Sequence, residues 1–261
     1  MSAHQGQRAL RGSAIVTGGA SGLGRACVER LHAEGVPVLV ADVAEEAGGA
    51  LAARLGDGVA FALTDVTDPA AVEAAVEQAA GLGPDGLRLS VACAGIGPAE
   101  RLLGRRGPHT VERFATVVQV NLVGTFLLLR AAAAAMAGND PVEGERGVHV
   151  ATASAAAYEG QVGQVAYSAS KAGVVGMTLP AARDLAQHGI RVCAIAPGLF
   201  DTPMVDALPA EAKESLSRSV PFPPRLGRPA EFADLVVAIA RNPMLNGETI
   251  RLDGAVRLAP R

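Results

Sequence analysis

Tyr167 and Lys171 stand four residues apart, so on a helix both side chains project from one face, one turn apart. A phenol with a pKa of ~10 is a poor base at neutral pH, and a neighbouring ammonium group favours its phenolate form. Such a pair suits transfer of the proton that accompanies hydride transfer to or from an alcohol. We therefore predict Tyr167 as the acid/base and Lys171 as the group that tunes it, with an accidental surface pair as the alternative.

Two further polar residues extend this predicted site. Ser154 ends an apolar run thirteen residues before Tyr167, and its hydroxyl could hold a substrate oxygen or simply cap a helix. Asn121 is predicted at the start of a long apolar helical region, where a buried amide must find partners. We predict that Asn121 supports a water connecting Lys171 to solvent. Satisfying free backbone groups in a bent helix is a compatible alternative.

A glycine-rich run, Thr17 to Gly24, follows an apolar run and precedes a segment predicted as helix from Arg25 to Ala33. Glycines permit a tight turn there and let backbone N–H groups at the helix N-terminus approach a pyrophosphate. A purely structural turn is the alternative, and the position between strand and helix favours dinucleotide binding. The predicted contacts are Gly18, Ser21, Gly22, Leu23 and Gly24.

Acidic residues end the next two predicted strands. Asp42 could accept hydrogen bonds from the adenosine ribose and would repel a 2′-phosphate, which favours NAD over NADP. A solvated strand-end aspartate is the alternative. Asp65 could bind the adenine amino group while Val66 packs on its face. Alternatively, Asp65 could cap the following helix together with Thr67 or Asp68.

The elements that must position these residues form a regular alternation. Apolar runs of strand length alternate with alanine-rich helical segments, and strands that are continuously apolar are typical of a parallel sheet covered on both faces. We predict one α/β domain over residues 1–261, a Rossmann-type doubly wound sheet of about seven strands with helices on both faces. The predicted strands are 14–16, 36–41, 59–62, 89–92, 148–152, 192–196 and 249–252.

Three stretches interrupt the alternation. Residues 97–110 and 138–147 are polar and contain glycine and proline, and residues 197–228 are rich in proline after the sixth strand. Long irregular segments at that position often cover a substrate. We predict a substrate lid over approximately 197–228. Ala94 and Gly95, after the fourth strand, offer a surface without bulky side chains for the cofactor.

Composition argues against several classes of protein. The chain has 261 residues and a formal net charge of -3, which argues against a nucleic-acid partner. Its three cysteines and five histidines are scattered, so neither disulfides nor a bound metal is expected. The apolar run 122–137 falls short of the ~20 residues of a membrane span, and the polar first dozen residues do not fit a signal peptide. These features favour a cytoplasmic protein without a membrane partner.

These residues together resemble the short-chain dehydrogenase/reductase family over essentially the whole chain. The resemblance implies that Pro197, Gly198 and Thr202 bind the nicotinamide end and that the protein is a homotetramer. One departure is Ala92, where the family has asparagine, and it loses a side chain that stabilises the sheet. The family's order and spacing are matched by Thr17-Gly18-x-x-x-Gly22-x-Gly24, Asp42, Asp65, Ala94-Gly95, Asn121, Ser154, Tyr167-x-x-x-Lys171 and Pro197-Gly198.

Longer runs resemble one branch of this family, the type II 3-hydroxyacyl-CoA dehydrogenases. This likeness implies reversible NAD-linked oxidation of the 3-hydroxyl of a short or medium acyl-CoA, in fatty acid metabolism. It also implies that Gln161 contacts substrate, with a solvated loop glutamine as the alternative. The runs are 159–164, 176–180, 195–200, 220–223 and 246–255.

Three arginines in the first polar stretch, residues 97–110, are candidates for binding phosphate. Arg101, Arg105 and Arg106 could bind the phosphates of CoA, because guanidinium groups match phosphate oxygens, or they could be an ordinary solvated charge run.

Other functions fit some of the same residues. An acyl-carrier-protein or steroid ketone reductase would use the same catalytic set, and preference for NADPH would favour the first of these. A non-catalytic NAD-binding scaffold subunit is the alternative from another class.

Overall fold

A computed structural model describes residues 8–105, 107–206 and 210–260. Seven parallel strands form one sheet: β1 (Ser13–Thr17), β2 (Val38–Asp42), β3 (Val59–Leu63), β4 (Leu87–Ala92), β7 (Gly147–Thr152), β8 (Ile190–Pro197) and β9 (Thr249–Leu252). Their order in the sheet is β3-β2-β1-β4-β7-β8-β9. Strands β5 (Leu103–Gly104) and β6 (Gly107–Pro108) form a separate antiparallel hairpin.

All seven predicted strands are present, and the predicted fold class is confirmed. The central strands β1, β7 and β8 are buried along their whole length, as expected for strands covered on both faces. Strand β2 begins at Val38, two residues after the predicted start. Pro37 lacks an N–H group and cannot donate to the ladder, although its carbonyl accepts from Ala14 at 2.8 Å.

Helices cover both faces of the sheet. They are α1 (Gly22–Ala33), α2 (Glu45–Leu55), α3 (Pro69–Ala80), α4 (Val111–Val118), α5 (Gly124–Ala137), α6 (Val165–Ala186), α7 (Pro203–Asp206), α8 (Ala210–Ser219) and α9 (Pro229–Arg241). Helices α1, α2 and α9 bury apolar side chains in one core cluster, whereas α3 and α5 do so in another. Helix α6 packs beside the ends of β7 and β8.

Helices α4 and α5 are continuous through a π-helical turn, Gln119–Val123. Asn121 therefore lies in the middle of a long helix, and the prediction that it begins the helical region was wrong. The amphipathic turns of α4 precede the apolar run that marked the helix in the sequence.

Helix 111–137 is also long and apolar enough to cross a membrane by length and composition, so the length argument against a span was wrong. In the fold, 56% of its apolar window is buried.

Helix α6 approaches this long helix closely at Gly173. A Cβ atom placed on Gly173 would lie 2.7 Å from a methyl carbon of Leu122, so a larger residue here would require the Leu122 side chain to shift. The close approach brings Asn121 beside the first turns of α6, which carry Tyr167 and Lys171.

Candidate active site

The predicted catalytic residues lie at the carboxyl edge of the sheet, where ligands bind in open α/β folds. Ser154 follows β7 by two residues, and Tyr167 and Lys171 occupy the first two turns of α6. Lys171 Nζ lies 5.8 Å from the centroid of the Tyr167 ring. The two side chains share one helix face, in the arrangement that their spacing predicted.

Lys171 is buried and bonded to the sheet. Only 3% of the surface of Lys171 is exposed, and its Nζ donates a hydrogen bond of 2.7 Å to the carbonyl oxygen of Thr152. Burial lowers the pKa of Lys171 to about 8, because the ammonium group loses solvation. The amine is thus poised to exchange a proton near neutral pH.

Tyr167 behaves differently from our expectation. Burial raises the pKa of its phenol, and a hydrogen bond with Ser154 opposes that shift without cancelling it. We had expected Lys171 to bring this pKa down. In the folded chain the lost solvation of the phenolate is the larger effect, so Tyr167 is held in its protonated form.

Ser154 takes the capping role that the sequence left as its alternative, and its role toward a substrate oxygen stays a prediction. The residue is 7% exposed, and its Oγ accepts a hydrogen bond of 3.1 Å from the backbone N–H of Ala156, capping the short 3₁₀ helix Ala155–Ala157. The same hydroxyl group bonds to Tyr167. Capping fixes the position of the serine that contacts the phenol.

Asn121 uses its whole amide on protein groups. Its Oδ1 accepts from the backbone N–H of Ile96 at 2.8 Å, and its Nδ2 donates to the Ile96 carbonyl at 2.8 Å and to Ser170 Oγ at 3.0 Å. This is the alternative role, satisfaction of free backbone groups. The predicted relay through Asn121 stays a prediction. A Cβ atom on Gly95 would lie 3.2 Å from Asn121 Oδ1 and 3.6 Å from Lys171 Nζ, so glycine keeps the two groups close.

Sequence reasoning missed Ser170 and Thr152. Ser170 Oγ accepts from Asn121 and donates to the Tyr167 carbonyl at 2.7 Å, linking two predicted residues. Its position directly before Lys171 was an available signal. Thr152 contributes only a backbone carbonyl, which no side-chain pattern marks.

The glycine run forms a cradle that opens α1. Gly18 adopts φ +65°, and a Cβ atom there would lie 2.6 Å from the Ala94 nitrogen, so the turn meets the end of β4 without a side chain. Gly24 approaches the Gly18 carbonyl even more closely. Helix α1 begins at Gly22, so the predicted start at Arg25 was three residues late.

The N-terminus of α1 is suited to an anion. Ser21 occupies the N-cap position yet makes no side-chain capping hydrogen bond within the described residues, and no acidic residue lies in the first turn. The side chain of Leu23 packs against the core, so the group that Leu23 can offer to an anion is its backbone N–H. Free N–H groups and the helix dipole together favour a pyrophosphate here.

Asp42 supports the glycine turn as well as ending β2. Its two carboxylate oxygens accept from the backbone N–H groups of Ala20 and Ala44, each at 3.0 Å. Each oxygen retains capacity for a further donor. Arg25, the nearest candidate for a 2′-phosphate, pairs with Glu29 at 2.9 Å along its own helix.

Asp65 and Val66 only partly follow the predictions. Asp65 Oδ1 accepts both the backbone N–H and the hydroxyl of Thr67 at 2.8 Å, and these bonds lower the pKa of its carboxyl group. The N-cap of α3 is Asp68, one of the residues that the capping alternative named, and Asp65 bonds to Thr67 just before it. Val66 is buried, and a Cβ atom on Gly124 would lie 2.8 Å from one of its methyl carbons; its packing on adenine stays a prediction.

One of the three residues expected at the nicotinamide end, Thr202, lies near the glycine run. Pro197 ends β8, and the backbone N–H of Gly198 donates to the Leu252 carbonyl at 3.0 Å. A Cβ atom on Gly22 would lie 3.6 Å from Thr202. The start of the predicted lid thus meets the cradle. Residues 207–209 of that lid lie outside the described residues.

Gln161 is bound to the C-terminal segment. Its Nε2 donates to the Ala259 carbonyl at 2.9 Å, and the substrate contact that the resemblance implies stays a prediction. Arg101 and Arg105 are exposed beside the β5–β6 hairpin, and Arg106 lies outside the described residues. Within the described part of the chain, no three His, Cys, Asp or Glu residues cluster as metal ligands would.

Comparisons with known proteins agree with this geometry. The family described as short chain dehydrogenase matches residues 13–213. The chain is 52% identical over 249 residues to 3-hydroxyacyl-CoA dehydrogenase type-2 of Drosophila melanogaster, covering 94% of this chain and 97% of the relative. The human protein of the same name is 52% identical, with 95% of each chain covered. A crystal structure of 3-hydroxyacyl-CoA dehydrogenase type-2 from Mycobacterium avium matches with a TM-score of 0.92 and 48% identity, covering 96% of this chain and 97% of that one.

Proposed function

The chain belongs to the short-chain dehydrogenase family, and on that premise we propose that this oxidoreductase interconverts 3-hydroxyacyl-CoA and 3-oxoacyl-CoA with NAD as cofactor. The observation that carries the proposal is the cluster of Ser154, Tyr167 and Lys171 beside the glycine cradle. The names of the similar proteins support the acyl-CoA substrate. Dehydrogenases of this family generally use NAD(P), and Asp42 supports the choice of NAD.

The residues present fit a dinucleotide. Glycines at positions where a Cβ would clash, together with the uncapped N-terminus of α1, form the expected cradle for a pyrophosphate. When bound, the nicotinamide ring accepts hydride from the carbinol carbon or returns it. We assign dinucleotide contacts to Gly18, Ser21, Gly22, Leu23, Gly24, Asp42, Asp65, Val66, Ala94, Gly95, Tyr167, Lys171, Pro197, Gly198 and Thr202.

Tyr167 moves the accompanying proton. In reduction its hydroxyl gives a proton to the ketone oxygen, and the raised pKa keeps that proton available. In oxidation the phenolate takes the proton from the substrate hydroxyl, which becomes easier as the pH rises. Ser154 donates a hydrogen bond to the substrate oxygen, and Lys171, one turn from Tyr167, tunes the phenol and would hold the nicotinamide ribose.

A substrate panel tests this function. The purified protein is given acetoacetyl-CoA, an acetoacetyl thioester of an acyl carrier protein, or a steroid ketone, each with NADH or NADPH. We expect turnover of acetoacetyl-CoA with NADH to exceed every other combination. Greater turnover of the carrier-protein substrate with NADPH, or of the steroid alone, would contradict the acyl-CoA assignment. Binding of NADH without any turnover would favour a scaffold subunit.

We also propose a homotetramer in the cytoplasm, active in fatty acid metabolism. Exposed apolar side chains on two long helices support self-association, namely Val111, Phe114 and Phe126 on the 111–137 helix and Val165 and Leu179 on α6. Light scattering should give four times the chain mass of 26.4 kDa. A monomeric mass would contradict the proposal. The location rests on composition and is tested by fractionating the source cells.

A further inference from the structure

The loop 158–164 connects the Ser154 turn to the helix that carries Tyr167, so its position shapes the substrate side of the proposed site. Strand β9 holds this loop through one ion pair. Both carboxylate oxygens of Glu159 accept from Arg251, at 2.7 and 2.8 Å. A bidentate pair of this kind fixes orientation as well as distance.

Arg251 also contacts Asp253 and Tyr158. Its Nε donates to Asp253 at 2.7 Å, and its guanidinium carbon lies 5.1 Å from the centroid of the Tyr158 ring. The side chains of Arg251 and Glu159 are 22% and 26% exposed, and that of Asp253 is 8% exposed. Partial burial reduces solvent screening, so this network is stronger than a surface pair.

The C-terminal segment adds a second, independent set of contacts to the same loop. Gln161 Nε2 donates to the Ala259 carbonyl at 2.9 Å, and the backbone N–H of Val162 donates to the Pro260 carbonyl at 3.0 Å. These bonds join positions almost one hundred residues apart in the chain.

The same segment also reaches the predicted lid. The backbone N–H of Phe222 donates to the Gly254 carbonyl at 3.3 Å. A Cβ atom on Gly198 would lie 2.7 Å from the Asp253 Cβ atom, so the turn after β8 presses against the segment. Residues 251–260 therefore contact both the loop and the lid.

We propose that Arg251 and Glu159 are a positioning pair. Together with the rest of residues 251–260, they hold the loop 158–164 against the described part of the lid and so determine affinity for the acyl-CoA substrate. Neither residue touches the reacting atoms. The choice of substrate rests on the proposed function, whereas the anchoring of the loop does not.

Glu159→Gln tests the pair, because it keeps the shape of the side chain and removes its charge. We expect the KM for acetoacetyl-CoA to rise about 5- to 20-fold, kcat to change less than about 3-fold and the KM for NADH to stay constant, as loss of a substrate-positioning contact predicts. Hydrogen–deuterium exchange in residues 158–164 should accelerate. Glu73→Gln, which breaks the remote, exposed pair with Arg130, is the matched control and should change none of these.

Gln161→Leu provides a second variant that leaves the ion pair intact. It removes the side-chain bond to Ala259 and should change the exchange and the KM in the same direction by a smaller factor. Unchanged exchange and unchanged KM in Glu159→Gln, with only a lower melting temperature, would overturn the proposal. If the wild type does not turn over acetoacetyl-CoA, the proposed function fails, and the exchange measurement alone decides whether Arg251 and Glu159 anchor the loop.

Discussion

Lys171 Nζ donates a 2.7 Å hydrogen bond to the backbone carbonyl of Thr152 at the end of β7. The bond carries the ammonium group into the interior, between the sheet and the helix that also bears Tyr167. A buried amine with a pKa of about 8 can take up and release protons near neutral pH, which a solvated lysine cannot.

Burial of that amine has a cost in stability that depends on pH. The pKa of Lys171 falls from 10.5 to about 8 on folding, so the unfolded chain binds more protons between these values, and the free energy of unfolding should rise with pH across that window. We expect Lys171→Met to be inactive yet more stable at pH 7 by about 1 to 3 kcal/mol. Urea unfolding from pH 7 to 10 measures the difference, which should shrink as pH rises.

Arg130→Met, which removes an exposed cation, serves as the control and should leave the slope against pH unchanged. Parallel stability profiles of Lys171→Met and the wild type would contradict the burial argument.

A buried histidine should limit stability in acid. His149 bonds through Nδ1 to Ser90 Oγ at 2.8 Å, and its Nε2 has no partner within the described residues. Burial lowers its pKa from 6.5 to about 3, so the unfolded chain binds more protons in that range and stability falls as pH drops through it. The double variant Ser90→Ala with His149→Leu should lose this dependence, worth up to about 1.4 kcal/mol per pH unit.

Thermal unfolding between pH 4 and 7 tests this prediction, provided that refolding is reversible. His188→Gln, at an exposed position, should retain the slope of the wild type. An equal slope in the double variant would show that other groups cause the loss of stability in acid.

Asp42 should determine the choice between cofactors. Asp42→Asn keeps an oxygen for the N–H groups of Ala20 or Ala44 but removes the charge that repels a 2′-phosphate. We expect the ratio of kcat/KM for NADH over NADPH to fall about 10- to 100-fold, or roughly 1.4 to 2.7 kcal/mol. Steady-state kinetics with both cofactors measure the ratio, and an unchanged ratio would remove Asp42 from this role.

The exposed arginines near the β5–β6 hairpin can be tested with a truncated substrate. Changing Arg101 and Arg105 together to alanine should raise the KM for acetoacetyl-CoA by about 3- to 10-fold if they bind the CoA phosphates. The KM for acetoacetyl N-acetylcysteamine, which lacks those phosphates, should not change. Equal effects on both thioesters would show that the arginines act on the fold of the hairpin.

Local patterns carried most of what the sequence predicted. The strands, the glycine turn and the Tyr167–Lys171 pair each depend on neighbours within a few residues. All were found, with strand ends shifted by up to two residues. Asn121 was misplaced because the apolar run 122–137 marked the helix in the sequence, whereas the first turns of that helix are amphipathic. The helix therefore begins before the apolar run that indicated it.

Contacts between distant parts of the chain could not be predicted in this way. Glu159 and Arg251 are 92 positions apart, and Gln161 meets the C-terminal segment 98 positions away. Nothing near either residue in the sequence indicates its partner. The pKa of Tyr167 was misjudged for a similar reason, because the burial that raises it depends on parts of the fold that are distant in the sequence.

The central claim is that the phenol of Tyr167 transfers the proton. Oxidation of 3-hydroxybutyryl-CoA with NAD by the wild type and by Tyr167→Phe, followed from pH 6 to 10, tests it most directly. We predict that the wild-type kcat/KM rises with pH as the phenolate forms, and that Tyr167→Phe loses at least about 100-fold at every pH. A Tyr167→Phe variant with wild-type turnover and the same pH profile would contradict the account.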